Sequence, residues 1–230
     1  EQRILPLSVG WHVTTHIAAH AGILDLDDLG TEISEVGAAE GTGTVLLDRP
    51  DPQAVWQCQL DPSEWSKATA AYEPGAGGKG QWHVQGPLPQ PWQIELLGCQ
   101  FKLELTPFKH TGLFPEQVAQ WDFAIKAAAG KPLRVLNLFG YTGGATVALA
   151  KAGCTVTHVD ASKPSVTWAN ENAQLNNIPY EGIRWMLDDA LAFVRREVKR
   201  GAKYEGVIMD PPAFGHGTKG QVWKFAEHLP

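Results

Sequence analysis

From residue 133 onward the apolar positions switch repeatedly between a continuous run and a helical period. "LRVLNLF" (133–139) reads as a short buried strand, and "ATVALAKAG" (145–153) reads as a helix closed by Gly153. "TVTHVD" (155–160) is a second strand. A helix follows Ser162, with Pro164 in its first turn, and runs through Asn176, with Val166, Ala169 and Ala173 on one face. "IRWML" (183–187) is a third strand. The segment 190–200 carries Leu191, Val194 and Val198 at helical spacing and ends at Gly201, and "YEGVIMD" (204–210) is a fourth strand. Strands alternating with helices of this length predict right-handed βαβ units. The expected fold is therefore α/β, a Rossmann-like doubly wound parallel sheet whose ligand lies past the carboxyl ends of the strands.

The first hundred residues follow a different rhythm. Short apolar runs such as "GTVLL" and "QAVWQCQL" are separated by "DRPDP", "EPGAGGKG" and "GPLPQPW", which are rich in the residues that punctuate strands. The division predicted is a smaller β-rich region over 1–100 and an α/β domain over 101–230. The tryptophans Trp11, Trp56, Trp65, Trp82 and Trp92 fall in the first region. They read as core side chains rather than as a base-stacking surface.

Composition narrows the class. The chain has 230 residues, 43% of them hydrophobic, and a net charge of -6. No stretch approaches the roughly 18 uninterrupted apolar residues of a membrane span, and no signal-peptide pattern opens the chain, so a cytoplasmic address is expected. Cys58, Cys99 and Cys154 are too few and too widely spaced for a disulfide framework or a four-ligand zinc site; reduced core thiols are expected, and no metal. The charge is unevenly divided. Residues 1–100 hold 4 Lys or Arg against 13 Asp or Glu, whereas residues 101–230 hold 15 against 12. The second part can tolerate a nucleic acid; the first is a poor phosphate-binding surface.

Candidate chemistry sits after each strand. Gly140, Gly143 and Gly144 follow the first strand as G-x-x-G-G, which is neither the dinucleotide G-x-G-x-x-G nor a phosphate loop. A tight turn opening a helix suits a small anionic group such as a carboxylate. Asp160 ends the second strand, where a carboxylate can accept from both hydroxyls of a ribose. Asp188 or Asp189, after the third, can reach an adenine amine, or either can cap the next helix. After the fourth comes "DPPAFGHG" (210–217), whose two prolines force the chain out of the sheet. That rigid exit can fix the Asp210 carboxylate and the Pro211 carbonyl as acceptors and offer Phe214 as a stacking face. His110 and His216 read as loop histidines.

The run "HTGLFPEQ...VLNLFGYTGGAT...VTHVDASK...WANEN...IRWMLDDALAFV...DPPAFGHGT" resembles the class I S-adenosylmethionine-dependent methyltransferases, and within them the large-subunit ribosomal RNA cytosine methyltransferases. The likeness covers about 101–225. It implies S-adenosyl-L-methionine as cofactor, with Gly140, Tyr141 and Gly143 at its methionine end, Asp160 on the ribose, Asp189 on the adenine amine and Asp210 to Phe214 on the acceptor. Phe139, Ala161 and Asp188 flank these positions and are counted with the cofactor residues, as are Phe114 and Gln117 of "HTGLFPEQ". The acceptor implied is a planar group such as an RNA base. A nicotinamide oxidoreductase is disfavoured by the glycine spacing, and a noncatalytic module on the same fold is the alternative.

Departures from the family are equally specific. Relatives that methylate cytosine use a cysteine beyond the D-P-P-x-F run, and they carry Lys and Arg where Ala213 and Val118 stand here. A sister group of bacterial methyltransferases with a Trp-containing β region in front is the nearer likeness. The family sheet has seven strands ordered 3-2-1-4-5-7-6, and only four suitable strands follow residue 130. A C-terminally truncated sheet is therefore expected, with the fourth strand at an open edge through which copies associate.

Overall fold

The computed structural model describes residues 25–28, 31–37, 44–50, 66–212, 214–216, 222–224 and 227. The chain divides into two units, residues 1–94 with 103–119 and residues 95–102 with 120–230. Trp11, Trp56, Trp65, Cys58, Ala213 and Gly217 lie outside the described residues.

The first unit contains a five-stranded sheet of β1 (Asp25–Asp28), β2 (Thr31–Gly37), β3 (Thr44–Pro50), β4 (Ala70–Pro74) and β5 (Gly80–Val84), in that order. All its pairings are antiparallel except β3 with β4. Alternation along β3 buries Val45 and Leu47 while Leu46 and Asp48 are half-exposed, the period-2 pattern of a one-faced strand. Trp82 is half-buried, and its indole N–H donates to the Thr106 carbonyl at 2.8 Å. Two further strands, β6 (Gln93–Leu96) and β7 (Cys99–Lys102), form a hairpin of which residues 95–102 belong to the second unit, and its turn residues Leu97 and Gly98 both have positive φ, as in the favoured two-residue hairpin turns.

In the second unit the predicted rhythm is realised nearly residue for residue. Helix α1 (Val118–Ala128) leads into β8 (Arg134–Leu138), α2 (Gly144–Lys151), β9 (Thr155–Asp160), α3 (Lys163–Leu175), β10 (Ile183–Leu187), α4 (Ala190–Arg200) and β11 (Gly206–Met209). These four strands are parallel and ordered β10-β9-β8-β11, that is 3-2-1-4 counted along the chain. The order reverses at β8, which makes the carboxyl end of β8 the switch point of the sheet. Alternate residues of β8 serve opposite faces. Val135 packs with Leu149 of α2 and Ala128 of α1, whereas Leu136 and Leu138 pack with Ala190 and Phe193 of α4. Both faces of β8 are covered, which is why Val135 to Leu138 are all buried rather than alternately exposed.

Helix α4 departs from the expected register. Its buried residues are Ala190, Phe193 and Glu197, while Val198 is 73% exposed. The apolar spacing of Leu191, Val194 and Val198 does not mark the inner face at its last turn, because Glu197 takes that place. Its carboxylate is satisfied there by Arg184, Arg200 and Tyr204. Among the described residues β11 pairs with β8 alone and ends the sheet, with Val207 and Met209 exposed. Beyond it, β12 (Phe214–His216) and β13 (Val222–Lys224) form a small antiparallel hairpin. Cys99 and Cys154 are buried and free, as core thiols. Among the described residues no helix is long and apolar enough to cross a membrane.

Candidate functional site

The carboxyl edge of the parallel sheet is built outward from β8. Three left-handed residues lie within five positions there: Phe139 at φ 55°, Tyr141 at φ 47° and Gly143 at φ 84°. Two of them are not glycine, a conformation that costs of order 1 kcal/mol each and persists only where the surroundings hold it. The strand end is held by Gly140 N–H donating to the Val159 carbonyl, and the turn is closed by Gly143 N–H donating to the Gly140 carbonyl.

The glycines are needed on the protein side. A Cβ at Gly140 would stand 2.5 Å from the His158 ring, one at Gly143 2.8 Å from Ala169, and one at Gly144 2.4 Å from Trp121. Close packing of strand, helix and turn demands them irrespective of any ligand. Beneath Gly140 lies a buried polar chain in which Asn137 Nδ2 donates to Thr146 Oγ1 at 2.8 Å and Thr146 Oγ1 meets His158 Nδ1 at 2.9 Å. Burial pulls the His158 imidazole down to about 4, so the ring is neutral, with Nε2 buried and unpartnered. Nothing in the local pattern of "TVTHVD" announced this histidine. Thr142 is fixed in turn by Asn172 of α3, which is fully buried, donates to the Thr142 carbonyl at 2.9 Å and accepts from the Lys102 N–H at 2.9 Å.

Asp160 ties the turn to the next strand. One carboxylate oxygen accepts from the Tyr141 N–H at 2.8 Å and the other from the Ser162 N–H at 2.8 Å. Desolvation raises its pKa, and the backbone N–H groups of Ser162, Tyr141 and Ala161 oppose that rise. The Tyr141 phenol is pushed up to about 12 by burial and then by the Asp160 charge. Asp188 N–H donates to the Asp160 carbonyl at 3.0 Å, and the Asp188 carboxylate pairs with Arg196. Asp189 caps α4, its Oδ1 accepting from Ala192 N–H at 2.8 Å. Phe139, Gly140, Tyr141, Gly143, Asp160, Ala161, Asp188 and Asp189 thus stand at the ends of three adjacent strands.

The fourth strand brings its exit alongside. Met209 pairs with Leu138, so Asp210 and Phe139 leave the sheet side by side. Asp210 is exposed as a residue, yet the atoms around its carboxyl withdraw enough water to raise its pKa. Pro211 is half-buried beside it, and Phe214 begins β12. Trp223, which no motif singled out, folds back over this exit. Its Nε1–H donates to the Pro212 carbonyl at 2.7 Å, and its ring lies against Phe139 at 4.9 Å. Phe114 and Gln117 belong to the other unit. There Gln117 N–H donates to the Phe114 carbonyl at 3.0 Å and the Phe114 ring meets His110 edge-on at 5.0 Å, His110 being half-buried. Among the described residues no group of three or more His, Cys, Asp or Glu could hold a metal ion.

A parallel sheet of this order, with acids after its second and third strands and a strained turn at its switch point, defines a Rossmann-like domain built for a nucleoside-bearing cofactor. A family model described as S-adenosylmethionine-dependent methyltransferase matches residues 69–225. The chain belongs to that family, and S-adenosylmethionine is its cofactor. Similar curated proteins are "Ribosomal RNA large subunit methyltransferase K/L" of Shewanella sp. (strain MR-4), 36% identical over 124 residues, and "Ribosomal RNA large subunit methyltransferase I" of Photobacterium profundum, 34% identical over 130 residues. The first match takes 53% of this chain and 17% of the relative, the second 56% and 32%. Among solved structures, a SAM-dependent methyltransferase from Agrobacterium tumefaciens superposes with a TM-score of 0.81 at 39% identity, over 90% of this chain and 65% of that one. The methyltransferase SMU.776 complexed with SAH superposes at 0.70 with 19% identity, over 99% and 63%, a likeness of fold. The chain thus spans less than two thirds of the length of each of these proteins.

The donor set at the carboxyl edge fits that cofactor. The N-cap of α2 is Gly143, which has no side chain to offer, and the backbone N–H groups of a helix start suit an anionic group such as the amino-acid carboxylate. Asp160 supplies a half-exposed carboxylate at the end of the second strand, the position at which Rossmann-like folds set an acid against a ribose.

Proposed function

We propose that the chain is the catalytic part of an S-adenosylmethionine-dependent methyltransferase acting on a planar acceptor such as an RNA base, in the cytoplasm. The observation that carries the reading is the convergence of four strand ends in the order β10-β9-β8-β11, with an acid or the glycine turn at each. Bound, the cofactor supplies a sulfonium-activated methyl group. Asp160 holds the ribose, Asp189 or Asp188 the adenine amine, and the turn Phe139 to Gly143 with the start of α2 the amino-acid end. Asp210 and the Pro211 carbonyl orient the acceptor, and bringing the reacting atoms to roughly 3 Å in line is the main contribution of the protein. The raised pKa of Asp210 makes its carboxylate a better proton acceptor than an ordinary one. Phe214 provides the stacking face. RNA as the acceptor is supported by the names of the curated relatives and by the balance of 15 basic against 12 acidic residues over 101–230.

The test is twofold. S-adenosylhomocysteine and S-adenosylmethionine both raise the melting temperature, since a ligand bound to the native state alone stabilises it. Label from the methyl group of the cofactor then passes into the RNA fraction of a cell extract rather than into protein or metabolites. Stabilisation by NAD without stabilisation by either adenosyl compound overturns the reading, and label in protein alone moves the acceptor.

A further inference from the structure

We infer that Trp223 is a positioning residue that couples the cofactor turn to the acceptor exit, so that the two halves of the transfer site are set by one side chain. The inference rests on the proposed roles of the turn and of Asp210 to Phe214.

Trp223 occupies the middle of β13, between the exposed Val222 and Lys224, and is itself buried. Gly215 stands opposite it in the hairpin. A Cβ at Gly215 would lie 3.3 Å from Pro212 Cγ and 4.0 Å from Trp223 Cβ, so glycine lets the hairpin close onto the proline exit. From there the indole makes two contacts of different kinds. The Nε1–H is a lone donor and takes the Pro212 carbonyl, which fixes the peptide two residues after Asp210. The ring packs, tilted by 55°, on Phe139. Phe139 is the residue whose left-handed backbone aims Gly140 and Tyr141, and a strained conformation of that kind needs neighbours to hold it. Phe139 is half-buried and packs against the cluster of Leu136, Leu138, Val159, Ala190 and Phe193, and the Trp223 ring lies against it as well. A tilted aromatic pair beside a hydrogen bond at near-ideal length is a directional link rather than generic burial.

The two contacts separate by mutation. Trp223→Phe keeps a ring against Phe139 and removes the hydrogen bond to Pro212; Trp223→Ala removes both. Binding of S-adenosylhomocysteine is measured by calorimetry, and amide exchange at Gly215 and the indole resonances by NMR, with the Trp223 indole identified by its absence from the Phe variant. The indole resonance of Trp223 shifts when S-adenosylhomocysteine saturates the protein. The Phe variant binds it within about threefold of wild type while Gly215 exchanges about tenfold faster, and the Ala variant binds about tenfold more weakly. Should the Ala variant fold poorly, Trp223→Leu, which fills volume without a flat ring or donor, takes its place. Wild-type affinity in the Ala or Leu variant, an unmoved indole resonance, or unchanged Gly215 exchange in the Phe variant overturns the inference. Absence of S-adenosylhomocysteine binding in wild type overturns instead the reading of the site on which it rests.

Discussion

The carboxylate of Asp160 accepts the backbone N–H of Tyr141 at 2.8 Å, joining the end of β9 to the strained turn after β8. One side chain thereby shapes the turn and is the proposed ribose ligand. Asp160→Ala removes both functions and is expected to weaken S-adenosylhomocysteine binding by roughly 1.5 to 3 kcal/mol, the scale of hydrogen bonds to a charged group. Calorimetric titration checks this, and an unchanged dissociation constant places the ribose elsewhere.

Gly140 has no positive φ, so its requirement is purely steric. Gly140→Ala drives a methyl group to 2.5 Å from the His158 ring and is expected to cost about 1 to 3 kcal/mol of stability, the range for overpacking. In the double variant with His158→Ser the clash is gone, and denaturant unfolding should show the two changes to be less than additive. Full additivity would mean that the ring can move aside.

Asn172 is buried with both ends of its amide bonded to backbone, at Lys102 and Thr142. Asn172→Ala leaves a donor and an acceptor without their partner, at about 1 to 3 kcal/mol each. Denaturant unfolding is expected to show a loss of roughly 2 to 6 kcal/mol. A loss below 1 kcal/mol would mean that water replaces the amide.

Two acid windows follow from His158 and Glu197. The imidazole of His158 is lowered from 6.5 to about 4 by burial, so the unfolded chain binds its proton first and stability declines as pH falls from 6.5 toward 4. Glu197 is lowered from 4.5 to about 2, chiefly by the Arg184 hydrogen bond and then by Tyr204. Its stabilisation is present above 4.5 and is lost as pH falls toward 2. Melting temperatures across this range should lose the upper slope in His158→Gln and the lower slope in Glu197→Gln. Parallel curves for a variant and wild type would remove that residue from the account.

On the proposed role of Asp210 as the group that takes the acceptor's proton, its raised pKa is expected to set the acid limb of the rate above the ordinary carboxylate range. Methyl transfer to the RNA fraction should fall on acidification through that limb in wild type. In Asp210→Asn it should be slow and flat over the same pH range, and a limb that persists in this variant belongs to another group.

The alternation of strand and helix after residue 130 is legible in the pattern of residues along the chain. The run "LRVLNLF" is largely apolar because both faces of that parallel strand are covered, and the caps Ser162 and Asp189 act over three residues of local chain. For the same reason the motif residues could be placed at strand ends, and the motif run could be matched to a family, before any coordinates. Tertiary structure decided which groups meet. Local spacing put Val198 on the inner face of α4, but Glu197 is buried there because Arg184 and Tyr204 arrive from other elements. The glycines of the turn also make room for His158, Ala169 and Trp121, which lie 18 to 26 positions away along the chain. Trp223 carries no motif, and only the return of β13 across the proline exit sets its indole against both Phe139 and Pro212. Periodicity is a property of neighbours in sequence, and these contacts join residues that only folding makes neighbours.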